Sequence, residues 1–277
     1  MPQAEELFFR KCLLFRATAS VVCFTYRTLH RTGRGTLDSM QKPLFVLRAG
    51  DTVAPVAAKR GQFLDLIRDT LGDAWQGEWA TVDVRTDEPL PDPSAAAGFI
   101  ITGSSSSVTE RAPWMLRTEE WIRVAAAREA KILGICYGHQ IVAQALGGEV
   151  TKNPRGREVG TVKIMAIAKD RIFNDLPRLF FVNATHVDTV AKLPAAARIL
   201  ASTALEPVAA YSIGPNIRGV QFHPEIDADV MHGYIEARAE LIAKDGLDPK
   251  AIAAAIRETA ENGAVLKNFV THFVNAR

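Results

Sequence analysis

Apolar residues come in short runs along the first half of the chain, and the runs alternate with stretches that repeat at helical spacing. Leu44 to Leu47 is a compact run followed by Arg48, Ala49, Gly50 and Asp51, which predicts a strand entering a loop. Phe63, Leu64, Ile67 and Leu71 then mark one face of a helix, with Gly72 as its stop. Thr81 to Val84 reads as a second strand, and Pro89, Pro91 and Pro93 as a turn-rich connection. Gly98 to Thr102 is a third strand that delivers Gly103 and the serines after it to a loop. A helix from about Pro113 to Glu129 precedes the stretch Lys131 to Val150, KILGICYGHQIVAQALGGEV. Here an apolar run tightens into Gly134-Ile135-Cys136-Tyr137-Gly138, and Ile141, Val142, Ala145 and Leu146 resume helical spacing. The succession predicts an α/β fold with a mostly parallel central sheet and flanking helices.

The pattern changes after Gly148. Glu158 to Ile167, Leu179 to Val182, Ile199 to Ala201 and Val208 to Ala210 are short apolar pieces broken by polar turns, and Gly219 to Phe222 reads as a last core strand. They predict a small antiparallel elaboration on the sheet. Two helices are expected after it, over about Ala228 to Lys244 and Pro249 to Val274, with Ile252, Ile256, Val265, Leu266, Phe269, Val270 and Phe273 as packing positions.

A chain of 277 residues with 48% hydrophobic content can bury a full core. No linker interrupts residues 40 to 277, which are assigned to one domain. Of 33 Lys and Arg, six lie in residues 1 to 39 against three Asp and Glu, so the remainder carries 27 basic against 28 acidic side chains. The apparent basicity therefore belongs to the front. Arg16 interrupts the apolar residues there, which argues against a signal sequence, and Met40 precedes the first organised strand. Residues 1 to 39 are expected to be a disordered or misannotated extension, or else a short added element. Three cysteines supply no disulfide framework and no apolar run has the length of a membrane span, so a cytoplasmic setting and no membrane partner are expected. The near-neutral body lacks a basic stripe, which argues against nucleic acid. Neither a phosphate loop nor zinc-type Cys and His pairs occur, and no cofactor or metal is expected.

Cys136 is the first candidate for chemistry. Flanking glycines let a strand and a helix approach closely, and the N–H groups of the new helix favour thiolate over thiol. A cysteine merely packed between two glycines would leave the same pattern. His223 and Glu225 follow in GVQFHPE, where Pro224 stiffens the exit from a strand. A cysteine nucleophile needs an imidazole to move its proton, and a carboxylate beside that imidazole sets its tautomer. A solvated strand end would also look like this. The N–H groups of Gly103 and Tyr137 are candidates for an oxyanion hole, the first from the Ser104 to Ser107 loop and the second directly after the nucleophile. A plain serine-rich turn is the alternative.

Together ILGICYGHQIVAQALGG, ITGSSSSV, ATHVDTVAKLP and GVQFHPE resemble the class I glutamine amidotransferase-like superfamily, especially stand-alone proteins similar to the amidotransferase domain of GMP synthase. The resemblance runs from about Leu44 to Glu225. It implies a doubly wound α/β domain of flavodoxin-like layering, with Cys136 attacking a γ-glutamyl amide, His223 as acid and base, Glu225 orienting it, and Gly103 and Tyr137 supplying oxyanion amides. It places Gln140 at the edge of the substrate pocket and His186 and Asp188 in a histidine-x-aspartate loop near that pocket or its partner surface, where a local turn network is the alternative reading. His139 is assigned a supporting role. The serine loop departs from the proline-containing loops common in synthesis enzymes. No ATP-binding region follows Glu225, so ammonia supply to a separate synthetase subunit stands beside stand-alone γ-glutamyl peptidase activity and a noncatalytic ligand-binding role. The expected ligand is glutamine or another γ-glutamyl compound.

Overall fold

A computed structural model describes residues 41–276, and the expectation for residues 1 to 39 lies outside them. In chain order the first elements are β1 (Leu44–Arg48), α1 (Ala54–Arg60), α2 (Phe63–Leu71), β2 (Trp79–Asp83), β3 (Gly98–Ile101), α3 (Pro113–Ala127), β4 (Ile132–Ile135) and α4 (Tyr137–Ala145). Then come β5 (Glu149–Lys152), β6 (Glu158–Ala166), β7 (Leu179–His186), β8 (Asp188–Lys192), β9 (Ala197–Ser202), β10 (Ala210–Ile213) and β11 (Ile217–Val220). The last helices are α5 (Ala228–Ala237), α6 (Ala239–Lys244), α7 (Pro249–Ala254) and α8 (Ala260–Phe269), with a π-helical turn over Val270–Val274.

Nine strands form one sheet in the order β2-β1-β3-β4-β11-β10-β9-β6-β7. The first five are parallel and the other pairings antiparallel, so the fold is α/β with a largely parallel centre. Alternation along the strands explains the two covered faces. Val46, Ile100, Leu133 and Ile135 pack with Ile67 and Leu71 of α2 and Val265, Leu266 and Phe269 of α8, whereas Leu47, Phe99, Ile101 and Ile132 pack with Met115 and Ile122 of α3 and Ile141 and Val142 of α4. All residues of β3 and β4 are buried, as a strand covered on both sides requires. Each fully buried Leu, Ile or Val there contributes about 1.5–3 kcal/mol by leaving water.

Two expectations change. The antiparallel part is larger than a small elaboration: β10, β9, β6 and β7 continue the main sheet, and β5 pairs with β8 as a separate ribbon. The two long C-terminal helices are four shorter ones. The turn at Gly246, φ +81°, lies between the two expected helices, whereas the first is broken at Arg238 between α5 and α6 and the second over residues 255–259 between α7 and α8. No helix among the described residues is long and apolar enough to cross a membrane.

Candidate active site

Strands β3, β4 and β11 are parallel neighbours, with Ile101 opposite Gly134 and Val220 opposite Ile135. Residues just past their C-terminal ends therefore share one edge of the sheet, and these are Gly103, Cys136 and His223. In open α/β sheets this edge is where ligands bind. The topology thus joins three segments spread over more than a hundred residues of sequence.

Cys136 lies between β4 and α4 with φ +51° and ψ −101°, a conformation that L-residues rarely adopt. Its N–H donates to Val220 O at 2.8 Å, while Gln140 N donates to Cys136 O at 3.1 Å, so the turn is tied to the sheet and to its own helix. Close approach requires both glycines. A Cβ on Gly138 would sit 2.2 Å from Ile101 O, and one on Gly134 would sit 2.4 Å from Gly138 O. The Tyr137 N–H opens the helix and, like that of Gly103, donates to no protein acceptor among the described residues.

His223 stands on the β11 exit. Its backbone N–H donates to Asn183 O and its carbonyl accepts from Asn262 Nδ2, both at 2.8 Å. The ring stacks on Phe63 with centroids 6.3 Å apart. Nδ1 is 2.7 Å from Glu225 Oε1, which fixes the hydrogen on Nδ1 because a carboxylate only accepts, and leaves Nε2 for a reacting proton. Gly103 makes room for this ring, since a Cβ there would lie 2.8 Å from His223 Cε1. Sequence reasoning missed Asn183 and Asn262, which also share the Ile226 carbonyl at 2.9 Å each and so hold the histidine corner in place.

Electrostatics favours a charged pair. Burial alone pushes the Cys136 thiol up, but the His223 charge and, less strongly, that of His186 bring it below the ordinary thiol value. Burial depresses His223, yet Glu225 and Cys136 raise it to about 10. The sulfur itself is held loosely, with Thr185 O 3.9 Å away. His139 is different: burial drives it down to about 3, and its ring packs on Tyr211 at 4.6 Å, which fits a neutral supporting role.

A cavity of about 230 Å³ opens over Cys136, walled by the serine loop, Gln140, Thr185 to Asp188, Arg157, Arg238 and Leu241. Its size suits one small ligand group rather than a drug-sized molecule. The serine loop is ordered by Ser107, which accepts from Thr109 N at 3.2 Å and donates to Asp188 Oδ2 at 2.5 Å. Gln140 donates to Asp188 O at 3.2 Å and Gln221 Oε1 at 3.0 Å, so its amide N–H groups brace the wall. His186 and Asp188 also belong to the wall, but on the ends of β7 and β8 with Val187 alone between them, instead of a loop. Arg157 is paired with Asp245 at 2.7 Å. Arg238, which sequence reasoning did not single out, donates to Thr185 Oγ1 at 3.2 Å and lies over the Tyr234 ring, with no carboxylate within 4.0 Å among the described residues.

The chain is 37% identical over 139 residues to the glutamine-hydrolysing GMP synthase of Aeropyrum pernix, a match covering 50% of this chain and 25% of that protein. It is 32% identical over 179 residues to gamma-glutamyl peptidase 4 of Arabidopsis thaliana, covering 63% of this chain and 70% of the relative. A glutamine amidotransferase structure from Thermotoga maritima superimposes with a TM-score of 0.69 at 21% identity, covering 85% of this chain and all of that one, a likeness of fold. The sequence profile of class-I glutamine amidotransferases matches residues 78–238, more than half of the chain, which therefore belongs to the class-I glutamine amidotransferase family.

Proposed function

We propose that the protein hydrolyses a γ-glutamyl amide bond through Cys136, His223 and Glu225. The observation that carries the reading is the buried Cys136 elbow beside a His223 ring held 2.7 Å from Glu225. The thiolate attacks the amide carbon, and the developing oxyanion faces the N–H groups of Tyr137 and Gly103. As the C–N bond breaks, protonated His223 gives its proton to the leaving nitrogen, leaving a γ-glutamyl thioester. Water then attacks while His223 takes its proton, and the thiolate is regenerated with release of the acid. Glutamine is the smallest substrate of this class, and its ammonia would serve a separate synthetase.

A second leaving group has its own support. The match to gamma-glutamyl peptidase 4 spans 70% of that protein, whereas the GMP synthase match spans 25%. The guanidinium of Arg238 on the cavity wall, with no carboxylate partner among the described residues, suits the carboxylate that glutamine and γ-glutamyl peptides share. A steady-state panel of glutamine, γ-glutamyl dipeptides and simple γ-glutamyl amides separates the two. Dipeptide cleavage without a partner assigns peptidase activity, glutamine turnover that needs a cell-extract component assigns ammonia supply, and turnover of nothing in either setting rejects the hydrolase.

Arg238→Met provides a further check. A lost charge-assisted contact costs about 1.5–3 kcal/mol, so KM for the preferred substrate should rise roughly ten- to hundredfold with a much smaller change in kcat. An unchanged KM in a variant of normal thermal stability removes Arg238 from substrate recognition.

A further inference from the structure

His186 ends β7 on the cavity wall it shares with Cys136. Its side chain is 2% exposed, and those of Glu158 and Glu206 beside it are 5% and 0% exposed. His186 Nδ1 lies 3.0 Å from Asp188 O, and Nε2 lies 3.1 Å from Glu158 Oε2. A carbonyl oxygen can only accept, so Nδ1 carries a hydrogen. An ionised carboxylate can only accept as well, so Nε2 carries one too. The other arrangement, a neutral ring facing a protonated glutamate, is disfavoured because a glutamic acid is the stronger acid by about two pKa units. A ring with both nitrogens protonated is a cation.

The surroundings hold that state. Glu158 Oε1 accepts from Thr203 Oγ1 at 2.5 Å, which keeps the carboxylate in place, and Asp188 O is shared with Gln140 at 3.2 Å. Glu206 Oε1 accepts from Thr189 Oγ1 at 2.8 Å, while its Oε2 sits 4.0 Å from His186 Nδ1 with no hydrogen bond of its own. The charged and titratable groups around the ring are thus Glu158 from β6, Glu206 from the turn after β9, Cys136 from the elbow and the neutral His139 of α4. Arg238, between α5 and α6, bonds to Thr185, the residue before His186, and the Asp188 carboxylate is engaged by Ser107. On the thiol side, His223 and Glu225 complete the set.

We propose that His186 is a standing buried imidazolium, clamped between Glu158 and the Asp188 carbonyl, that stabilises the Cys136 thiolate by its charge and exchanges no proton during the reaction. It is a positioning residue acting through Cys136, and the proposal rests on Cys136 as nucleophile. A second cation has a reason to be there. Glu225 orients His223 but also opposes the thiolate, and His186 offsets that opposition. The titration directions agree, since burial lowers His186 but Glu158, Cys136 and Glu206 together raise it above the ordinary imidazole value.

Two measurements on the full chain test this. In wild-type protein labelled with 15N-histidine, the His186 signals, identified by their loss in His186→Gln, should be those of a doubly protonated ring at pH 7.5, about one unit above the ordinary histidine pKa. The pH profile of Cys136 alkylation by iodoacetamide, followed by mass spectrometry, should shift its midpoint upward by about one unit in both Glu158→Gln and His186→Gln, a roughly tenfold slower reaction below the midpoint. A neutral His186 in the wild type overturns the proposal even if Glu158→Gln does not fold, and His186→Asn makes the assignment should His186→Gln not fold. So does a charged His186 whose removal, in folded variants, leaves the alkylation profile unmoved, for then the pair is structural. Neither result touches the hydrolase reading, which fails separately if Cys136→Ala retains turnover.

Discussion

Replacing Cys136 with alanine should lower turnover of the preferred γ-glutamyl substrate by roughly a thousandfold or more, the scale on which nucleophile deletions act in enzymes of this type. The variant should still bind substrate, because the cavity wall is built from other segments. His223→Ala should lose nearly as much, and the double variant little more, since the two act as a unit. Glu225→Gln should lose less, because an amide can still accept from His223 Nδ1 but cannot supply the charge. The same pair sets the pH dependence. The thiol titrates below its ordinary value and His223 near 10, so thiolate and imidazolium coexist between those limits. Activity should rise on the acid side as the thiolate forms and fall on the alkaline side as His223 gives up its proton, with the two limbs belonging to the pair. Full turnover by Cys136→Ala would remove the mechanism, and an alkaline limb absent up to pH 11 would remove the charge assignment of His223.

The elbow was legible in the sequence because its determinants are local. Gly134, Cys136 and Gly138 lie within five residues, and the helical spacing after them is unbroken. The parallel strands were legible for a related reason, since burial on both faces leaves apolar runs such as GFII and ILGI. What escaped depends on partners distant in sequence. β5 and β8 are short strands of mixed polarity whose pairing joins Glu149 to Lys192, and neither carries a signal by itself. Asn183 and Asn262 meet at the Ile226 carbonyl from a strand and a helix that sequence pattern cannot bring together. His186 was visible as a polar residue near substrate, but its meaning comes from Glu158 and Glu206, one on β6 and the other after β9. The turn at Gly246 fell between the two expected helices, but each helix was drawn too long because its internal break, at Arg238 or over residues 255–259, contains no glycine or proline to mark a stop.

Gly138→Ala should be the most damaging substitution outside the reacting groups. The added Cβ would meet Ile101 O at 2.2 Å and Ile101 Cβ at 3.0 Å, and the first of these is strand backbone that cannot rotate away. Either α4 must lift from β3 or β3 must shift within a sheet hydrogen bonded on both sides. Overpacking of this kind costs about 3 kcal/mol, which in a domain of this size corresponds to a melting temperature lower by roughly 6–12 °C. Function should suffer beyond the loss of stability. The N–H of Tyr137 rides on the first turn of α4 and that of Gly103 on the chain leaving β3, so the displacement that relieves the clash also separates the two proposed oxyanion donors. Loss of one such donor is worth about 10²–10³ in kcat, and a fall of that order should be seen at a temperature where the variant remains folded. Gly263→Ala is the matched control. It lies within α8, its added Cβ would meet the movable Thr70 Cγ2 tip at 3.1 Å and Pro224 O at an ordinary 4.0 Å, and it gains helix propensity, so stability and turnover should stay close to wild type. Thermal unfolding and kcat measured for both variants decide the matter: equal behaviour of the two would mean that close strand-to-helix approach at Gly138 is not what places the nucleophile.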